Sequence, residues 1–319
     1  MVKLDLIDNK ILSELDKDAR KSCREISKKL RLSPEVINYR IKKLEDSRII
    51  TAYTLAVNLS KLNIIYLKIL LSFQHLNSEK LDKITEKLKE NKSVKWIVSC
   101  RGNWDMIISI EANSLKEIEL LKNKIISDFG QYINKKAIAF CTEASTFNRT
   151  YFSQNNQKKE MIIINSSEKG LELDELDIKI IKKLSLNSRK SLVEIASELK
   201  TTARIVNYRM KQLIKKGVIT GFRLAIDYSK LNLQFYKLLV YLDNPNEQEI
   251  KRFVDYLKNN KNLIHHVNAI GDWDFEPEFE VYSEQEFNEI LKQIKDNFSD
   301  IIKNIEVITI SKEHKFVYF

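Results

Sequence analysis

From Asp5 to Leu15 the apolar residues Leu6, Ile7, Ile11, Leu12 and Leu15 recur at the spacing of one helix face. Ser22-Cys23-Arg24-Glu25 then forms a capping box that opens a short helix to about Leu30, with Ile26 and Leu30 inward. Two residues later Ser33 suits an N-cap and Pro34 the first helical position, where its missing N–H is not needed. Val36, Ile37, Ile41 and Leu44 make the apolar stripe of this helix, and Glu35, Asn38, Tyr39, Lys42 and Lys43 occupy its other face. Two short helices joined by a tight turn, the second one basic, form a helix-turn-helix. A helix presenting amide, phenol and ammonium groups suits a DNA major groove. Taken alone, it reads equally as an ordinary amphipathic surface helix.

The period then changes. Arg48 to Val57 alternates and carries β-branched residues, which predicts a strand or small wing. Ile64 to Phe73, Val94 to Cys100, Met106 to Ala112 and Ile138 to Thr146 read as strands. Helical stretches at Ser78–Asn91 and Ser114–Phe129 separate them. The order β-α-β-β-α-β is the ferredoxin-like arrangement.

The whole pattern occurs twice. At a constant offset of 169 residues, Leu4 to Asn63 and Leu173 to Asn232 share 25 identities in 60 positions. Arg20-Lys21-Ser22 matches Arg189-Lys190-Ser191, Asn38-Tyr39-Arg40 matches Asn207-Tyr208-Arg209, and Gly102-Asn103-Trp104-Asp105 matches Gly271-Asp272-Trp273-Asp274. The chain is a tandem duplication, and repetition turns the basic helix into a credible recognition helix. In the second copy Gly217 and Gly221 suit a helix C-cap and a tight hairpin, and Pro277 implies an edge or a bulge in its strand.

The expected class is α+β. Its division is a winged helix-turn-helix at 1–60, a ferredoxin-like domain at 61–152, a polar linker at 153–172, and a second pair at 173–230 and 231–319. Within the linker Met161-Ile162-Ile163-Ile164 is able to add a strand to a neighbouring sheet. No apolar run reaches the length of about 18 residues that a membrane span needs. The opening Met1-Val2-Lys3-Leu4-Asp5 lacks a basic region followed by an apolar core, so no secretory leader is expected. The net charge of +10 favours an anionic partner. Cys23, Cys100 and Cys141 are scattered without metal-ligand spacing, which fits a reducing cytoplasm. His265 and His266 would face opposite sides of one strand, and no nucleotide-binding or nucleophile motif occurs; neither a metal, a cofactor nor a catalytic centre is expected.

Leu4-Asp5-x-x-Asp8-x-x-Ile11-Leu12, Arg20-Lys21-Ser22, Ser33-x-x-Val36-x-x-Arg40-Ile41-x-x-Leu44 and Ile49-Ile50 resemble the Lrp/AsnC family of transcription regulators, as does the Gly102-x-Trp104-Asp105 turn. The resemblance covers nearly the whole chain, twice, in what looks like an archaeal double-length variant. It implies double-stranded DNA as partner, αβ domains that associate, and in some members an amino-acid effector. Association could join the two αβ domains of one chain as a pseudo-dimer, or join domains of different chains. Siroheme-related haem-pathway decarboxylases share this layout and form the alternative, as does a ligand sensor without DNA binding; the mostly apolar αβ strands argue against the enzyme.

The expected DNA-contacting residues are Ser33, Glu35, Asn38, Tyr39, Lys42 and Lys43 in the first copy. In the second they are Thr202, Arg204, Asn207, Tyr208 and Lys211. Asparagine can bond adenine N6 and N7 together, and the lysines suit phosphates. Tyr39 could instead pack on the wing. Arg40 and Arg209 sit beside the apolar stripe, where pairing with Asp8 and Asp177 is favoured. The second helix, with Lys200, Arg204, Arg209, Lys211, Lys215 and Lys216 and no acid, should bind DNA more strongly than the first, which carries Glu35, Glu45 and Asp46. An effector would meet Gly102, Asn103, Asp105, Gly271, Asp272 and Asp274, unless these are plain hairpin turns over packed tryptophans.

Overall fold

The computed structural model describes residues 4–153, 159–166 and 168–317. Positions 154–158 and 167 of the expected linker, and the first three residues of the chain, therefore lie outside the described residues.

The first repeat begins with α1 (Leu6–Lys17), α2 (Cys23–Leu30) and α3 (Pro34–Asp46), followed by β1 (Ile50–Val57). Each helix starts where a side chain satisfies an otherwise orphaned N–H: Asp5 and Asp8 form a reciprocal box on α1, and Ser22 and Glu25 form one on α2. Then come β2 (Ile65–Phe73), α4 (Ser78–Glu90), β3 (Val94–Arg101), β4 (Met106–Ala112), α5 (Leu115–Phe129) and β5 (Ile133–Phe147). The isoleucine run forms β6 (Met161–Asn165) on the edge of β5.

The second repeat supplies α6 (Glu175–Leu186), α7 (Leu192–Glu198), α8 (Ala203–Lys215) and β7 (Ile219–Ile226). It continues with β8 (Gln234–Leu242), α9 (Glu247–Asn259), β9 (Leu263–Ile270), β10 (Phe275–Val281), α10 (Glu284–Phe298) and β11 (Ile302–Phe316).

The two ferredoxin-like sheets close on each other within the one chain. Around the ring the order is β2, β4, β3, β11, β8, β10, β9 and β5, with β5 pairing back onto β2. The closing strands do two jobs. The first part of β5 pairs with β2 of its own repeat and the second part with β9 of the other. Likewise β11 pairs first with β8 and then with β3. Each strand runs to 15 residues because it serves two partners in turn, one in its own repeat and one in the other, whereas the pattern confines the first to 138–146. Gly102 and Gly271 fit this closure: a Cβ on Gly102 would sit 3.1 Å from the Val307 carbonyl oxygen, and one on Gly271 2.7 Å from that of Ile138.

Three expectations are corrected here. The β1 segment is no wing within its own repeat; it pairs antiparallel with β7, and Thr54 lies opposite its own counterpart Arg223. Gly221 accordingly sits within β7 against Ile162 and not in a hairpin turn. Pro277 is not on an edge, since β10 lies between β8 and β9; the irregularity it implies appears one residue on, between Glu278 and Phe279 in the β9 pairing.

Each helical module is completed by the other repeat. Leu224 and Ile226 of β7 pack with Ile11, Leu15, Ile37 and Ile41, and Leu55 and Val57 of β1 pack with Ile180, Leu184, Val206 and Met210. The outer faces of the ring pack on α4 and α5, and on α9 and α10, in two further cores. Inside the ring, Leu70, Trp96, Val98, Trp104, Ala139, Phe235, Leu239 and Trp273 from both repeats form one apolar cluster.

Candidate nucleic-acid interface and a charged chamber

Helices α3 and α8 turn the same face to solvent. Ile37, Ile41 and Leu44, with Val206, Met210 and Leu213 in the second copy, anchor them. Asn38, Lys42, Lys43, Arg204 and Lys211 are exposed, and Asn207 is half-buried. Tyr39 is 69% exposed and Tyr208 61%, so neither packs on a wing. The Ser33 hydroxyl accepts from the Val36 N–H at 3.3 Å, and that of Thr202 from the Ile205 N–H at 3.2 Å, so both serve as N-caps. Glu35 is exposed, its carboxyl held below the usual range by its own backbone N–H and the Ser33 hydroxyl.

One stripe residue is misplaced by helical spacing alone. Val36 is 40% exposed and its counterpart Ile205 is 42% exposed. Both belong to the outer face, and the absence of a partner element over the first turn is a tertiary fact that periodicity does not contain.

Arg40 binds Asp5 Oδ2 at 2.6 Å and Asp8 Oδ1 at 2.8 Å, and Arg209 makes the equivalent bonds to Asp174 and Asp177. The Asp8 backbone N–H and then Arg40 hold the Asp5 carboxyl down. These arginines tie the recognition helix to the first helix. Arg20 and Arg189, identical in the two repeats, tie module to module. Arg189 Nη1 donates to the Ala19 carbonyl at 2.8 Å and that of Lys21 at 3.1 Å, and Arg20 donates to Ser188 and, at 3.2 Å, to Lys190.

At the tips of the ring, the Asp105 carboxylate accepts from the Phe73 N–H and that of Asp274 from the Leu242 N–H, each at 2.7 Å. Trp104 and Trp273 are buried beneath, while Asn103 and Asp272 remain exposed.

The end of the ring nearest the helical modules is charged, against the expectation of mostly apolar strands. Lys68, Lys237, Glu276, Glu278 and Glu280 alternate with the outward apolar residues of their strands and are all buried. Alternation hid them, because polar residues at every second position of a strand read as its solvent face. Lys237 Nζ lies 2.5 Å from Glu276 Oε2 and also bonds Glu278, Lys68 bonds Glu276, and Trp273 Nε1 donates to Glu276 at 3.0 Å. Burial opposes ionisation of Glu276, but the two lysines override it and hold its carboxyl at about 2. Arg149 clamps both Glu280 oxygens at 2.8 and 3.0 Å and reaches Asp16 at 2.8 Å. Burial disfavours its charge, yet the two carboxylates keep it firmly protonated.

Between this charged floor and a roof of β1 and β7 lies a cavity of about 120 Å³. It is reached by Glu111, Lys95, Tyr66, Asn165, Glu313 and His265 among others. Burial pushes Glu111 up to about 8, because its nearest cation, Lys95, stands 3.9 Å away. Burial pushes Glu313 to about 7 despite a 3.0 Å bond from Trp96 Nε1, and lowers His265 to about 4. Among the described residues no group of three His, Cys, Asp or Glu side chains is placed to hold a metal ion. No described helix is long and apolar enough to cross a membrane.

Paired helix-turn-helix modules with solvated basic helices, carried on closed ferredoxin-like sheets, define a tandem winged helix-turn-helix DNA-binding protein. The winged helix-turn-helix DNA-binding family model matches residues 4–51 and 173–220. The regulator LrpA of Pyrococcus horikoshii is 34% identical over 123 residues, 38% of this chain and 86% of that protein. The regulator Ptr1 of Methanocaldococcus jannaschii is 34% identical over 102 residues, covering 32% of this chain and 68% of Ptr1. The chain belongs to the Lrp/AsnC family and is a DNA-binding transcription regulator of that type, duplicated in tandem. The solved structure of the siroheme decarboxylase NirDL shares the fold over 98% of this chain and 93% of that one, with a TM-score of 0.62 and 11% identity.

Proposed function

We propose that one chain acts as a pseudo-dimer, setting α3 and α8 into major-groove segments on one face of a DNA duplex. The observation that carries this is the mutual completion of the two modules: β1 and β7 pair across Thr54 and Arg223, and Arg20 and Arg189 bond reciprocally. Two helices held this way are pre-organised for a pseudo-palindromic site, whose half-sites lie about one helical turn or a multiple of it apart. Asn38 and Asn207 would read bases, and Lys42, Lys43, Arg204 and Lys211 would neutralise phosphates. Tyr39 and Tyr208 would reach phosphate or a thymine methyl. Ser33 and Thr202, already N-caps, would present helix N-termini to phosphate, with Glu35 beside the first. Val36 and Ile205 add an apolar contact suited to a thymine methyl.

Selection of bound DNA from a random pool tests this reading. Two related half-sites should emerge, and no enrichment at moderate salt would sink it.

An amino-acid effector would be sought at the Gly102–Asp105 and Gly271–Asp274 turns, where Asn103 and Asp272 are exposed. Asp105 and Asp274 each already spend a carboxylate oxygen on a backbone N–H.

A decarboxylase reading draws on the fold shared with NirDL. An anionic tetrapyrrole would have to enter a cavity of about 120 Å³ lined by Glu111, Glu278, Glu280 and Glu313. Pockets for ligands of that size run to several hundred Å³ or more. The regulator reading needs no such enlargement.

A further inference from the structure

The two repeats differ where the cavity lies. At the 169-residue offset Glu111 corresponds to Glu280, and both project into the charged end of the ring. Glu280 is met by Arg149, which also bonds Asp16. The counterparts of Arg149 and Asp16 are Tyr318 and Ser185, so the second copy of the arginine clamp is missing from the sequence. Among the described residues Glu111 keeps one ion-pair neighbour, Lys95, beyond hydrogen-bond reach at 3.9 Å. A second group independently faces the same space. Asn165, on β6, is buried and donates its amide N–H groups to the Cys141 and Thr142 carbonyls, while its Oδ1 has no partner.

A buried acceptor without a donor, as Asn165 Oδ1 is, is costly, and native proteins rarely leave one so. Glu111 and Asn165 line a cavity with roughly eight to twelve times the space a single water requires.

We propose that the chamber binds a small molecule bearing a guanidinium group, which takes beside Glu111 the place that Arg149 takes beside Glu280, with Asn165 Oδ1 as a further acceptor. A guanidinium is the cation whose planar fork meets both oxygens of one carboxylate and still donates sideways. The neutral side of the chamber, Tyr66, Ala144, Val267 and Ile164, suits the short aliphatic stem of such a compound. This inference goes beyond DNA binding and does not depend on it.

Isothermal titration calorimetry of the full chain with agmatine and with arginine tests it. Citrulline, which has a neutral urea group where arginine has guanidinium, is the control. At least one guanidino compound binds one-to-one at millimolar concentration or below, and Glu111→Gln weakens it by about tenfold or more. Affinity rises as pH rises toward and past 8, because the cation needs Glu111 ionised. Glu313, which lines the same chamber and is pushed to about 7, also ionises in this range, so the pH dependence is read as the difference between the parent and E111Q. Circular dichroism and DNA affinity of E111Q confirm that the fold is retained. Absence of binding by both guanidino compounds, equal binding of citrulline, or equal affinity in E111Q overturns the proposal.

Discussion

Arg20 and Arg189, 169 residues apart and equivalent in the two repeats, each donate to main-chain carbonyls of the other's module, Arg189 to Ala19 at 2.8 Å and Arg20 to Lys190 at 3.2 Å. Each also lies against an aromatic ring of β7 or β1, Arg20 on Phe222 and Arg189 on Tyr53. Two guanidinium groups spent on backbone oxygens are poor phosphate ligands but good spacers. They fix the separation of α3 and α8, which is the quantity a DNA duplex measures.

Replacing Arg20 or Arg189 by alanine should therefore cost about 1–3 kcal/mol of stability in urea denaturation, as expected for charged donors leaving carbonyls unpaired. Lysine should not restore it, since a point charge cannot serve two carbonyls and stack on a ring. Arg24→Ala on the exposed face of α2 should stay within about 0.5 kcal/mol. An effect of Arg24→Ala as large as that of Arg20→Ala would remove the clasp from the account.

Arg149 joins Asp16 of the first helix to Glu280 of the second repeat, with all three side chains buried. Arg149→Met leaves Glu280 without its cation and Asp16 with Arg223 alone at 3.7 Å, and should destabilise the chain by about 3–5 kcal/mol. Denaturation midpoints of the single and of an Arg149→Met, Glu280→Gln double variant check this. The double variant should recover part of the loss.

Glu111 gives a pH signature of unusual sign. Its folded value of about 8 lies above the ordinary 4.5, so the unfolded chain loses this proton first and folding becomes less favourable as pH rises between those values. Below pH 4.5 both states hold the proton and nothing is gained or lost. Glu111→Gln should thus match the parent in acid and become the more stable protein from pH 5 to 8. Melting temperatures across that range decide it; a constant difference would refute the buried carboxyl whose ion-pair neighbour, Lys95, stands 3.9 Å away.

The second module should carry more of the salt dependence. Each phosphate contact removed lowers the slope of log affinity against log salt by about 1. Full-length Arg204→Ala, Lys211→Ala should lose more slope than full-length Glu35→Gln, Lys42→Ala in mobility shifts. Isolated modules would not serve, because Leu224 and Ile226 complete the first helical core and Leu55 and Val57 complete the second.

How legible this was in the sequence follows from which forces are local. Capping boxes, helical stripes and period-2 strands are written within a few residues, so α1 to α4 and β4 fall where the pattern puts them. Partners from the other repeat are not local. The second halves of β5 and β11 and the β1–β7 pairing all depend on a strand 100 or more residues away. The same holds for the chamber. Lys68, Glu111 and Glu276 each look like an exposed polar residue on an alternating strand, and only closure of the ring turns their face inward. Asn38, Tyr39, Lys42 and Lys43 were readable because nothing covers them.

The central claim is that a single chain presents both recognition helices to one duplex. Native mass spectrometry of the chain with a duplex carrying the selected site measures it directly. The account predicts one chain per duplex when both half-sites are present, with Asn38→Ala and Asn207→Ala each weakening binding to that same duplex. A complex that forms only with two chains per site, or one in which Asn207→Ala matters and Asn38→Ala does not, would contradict it.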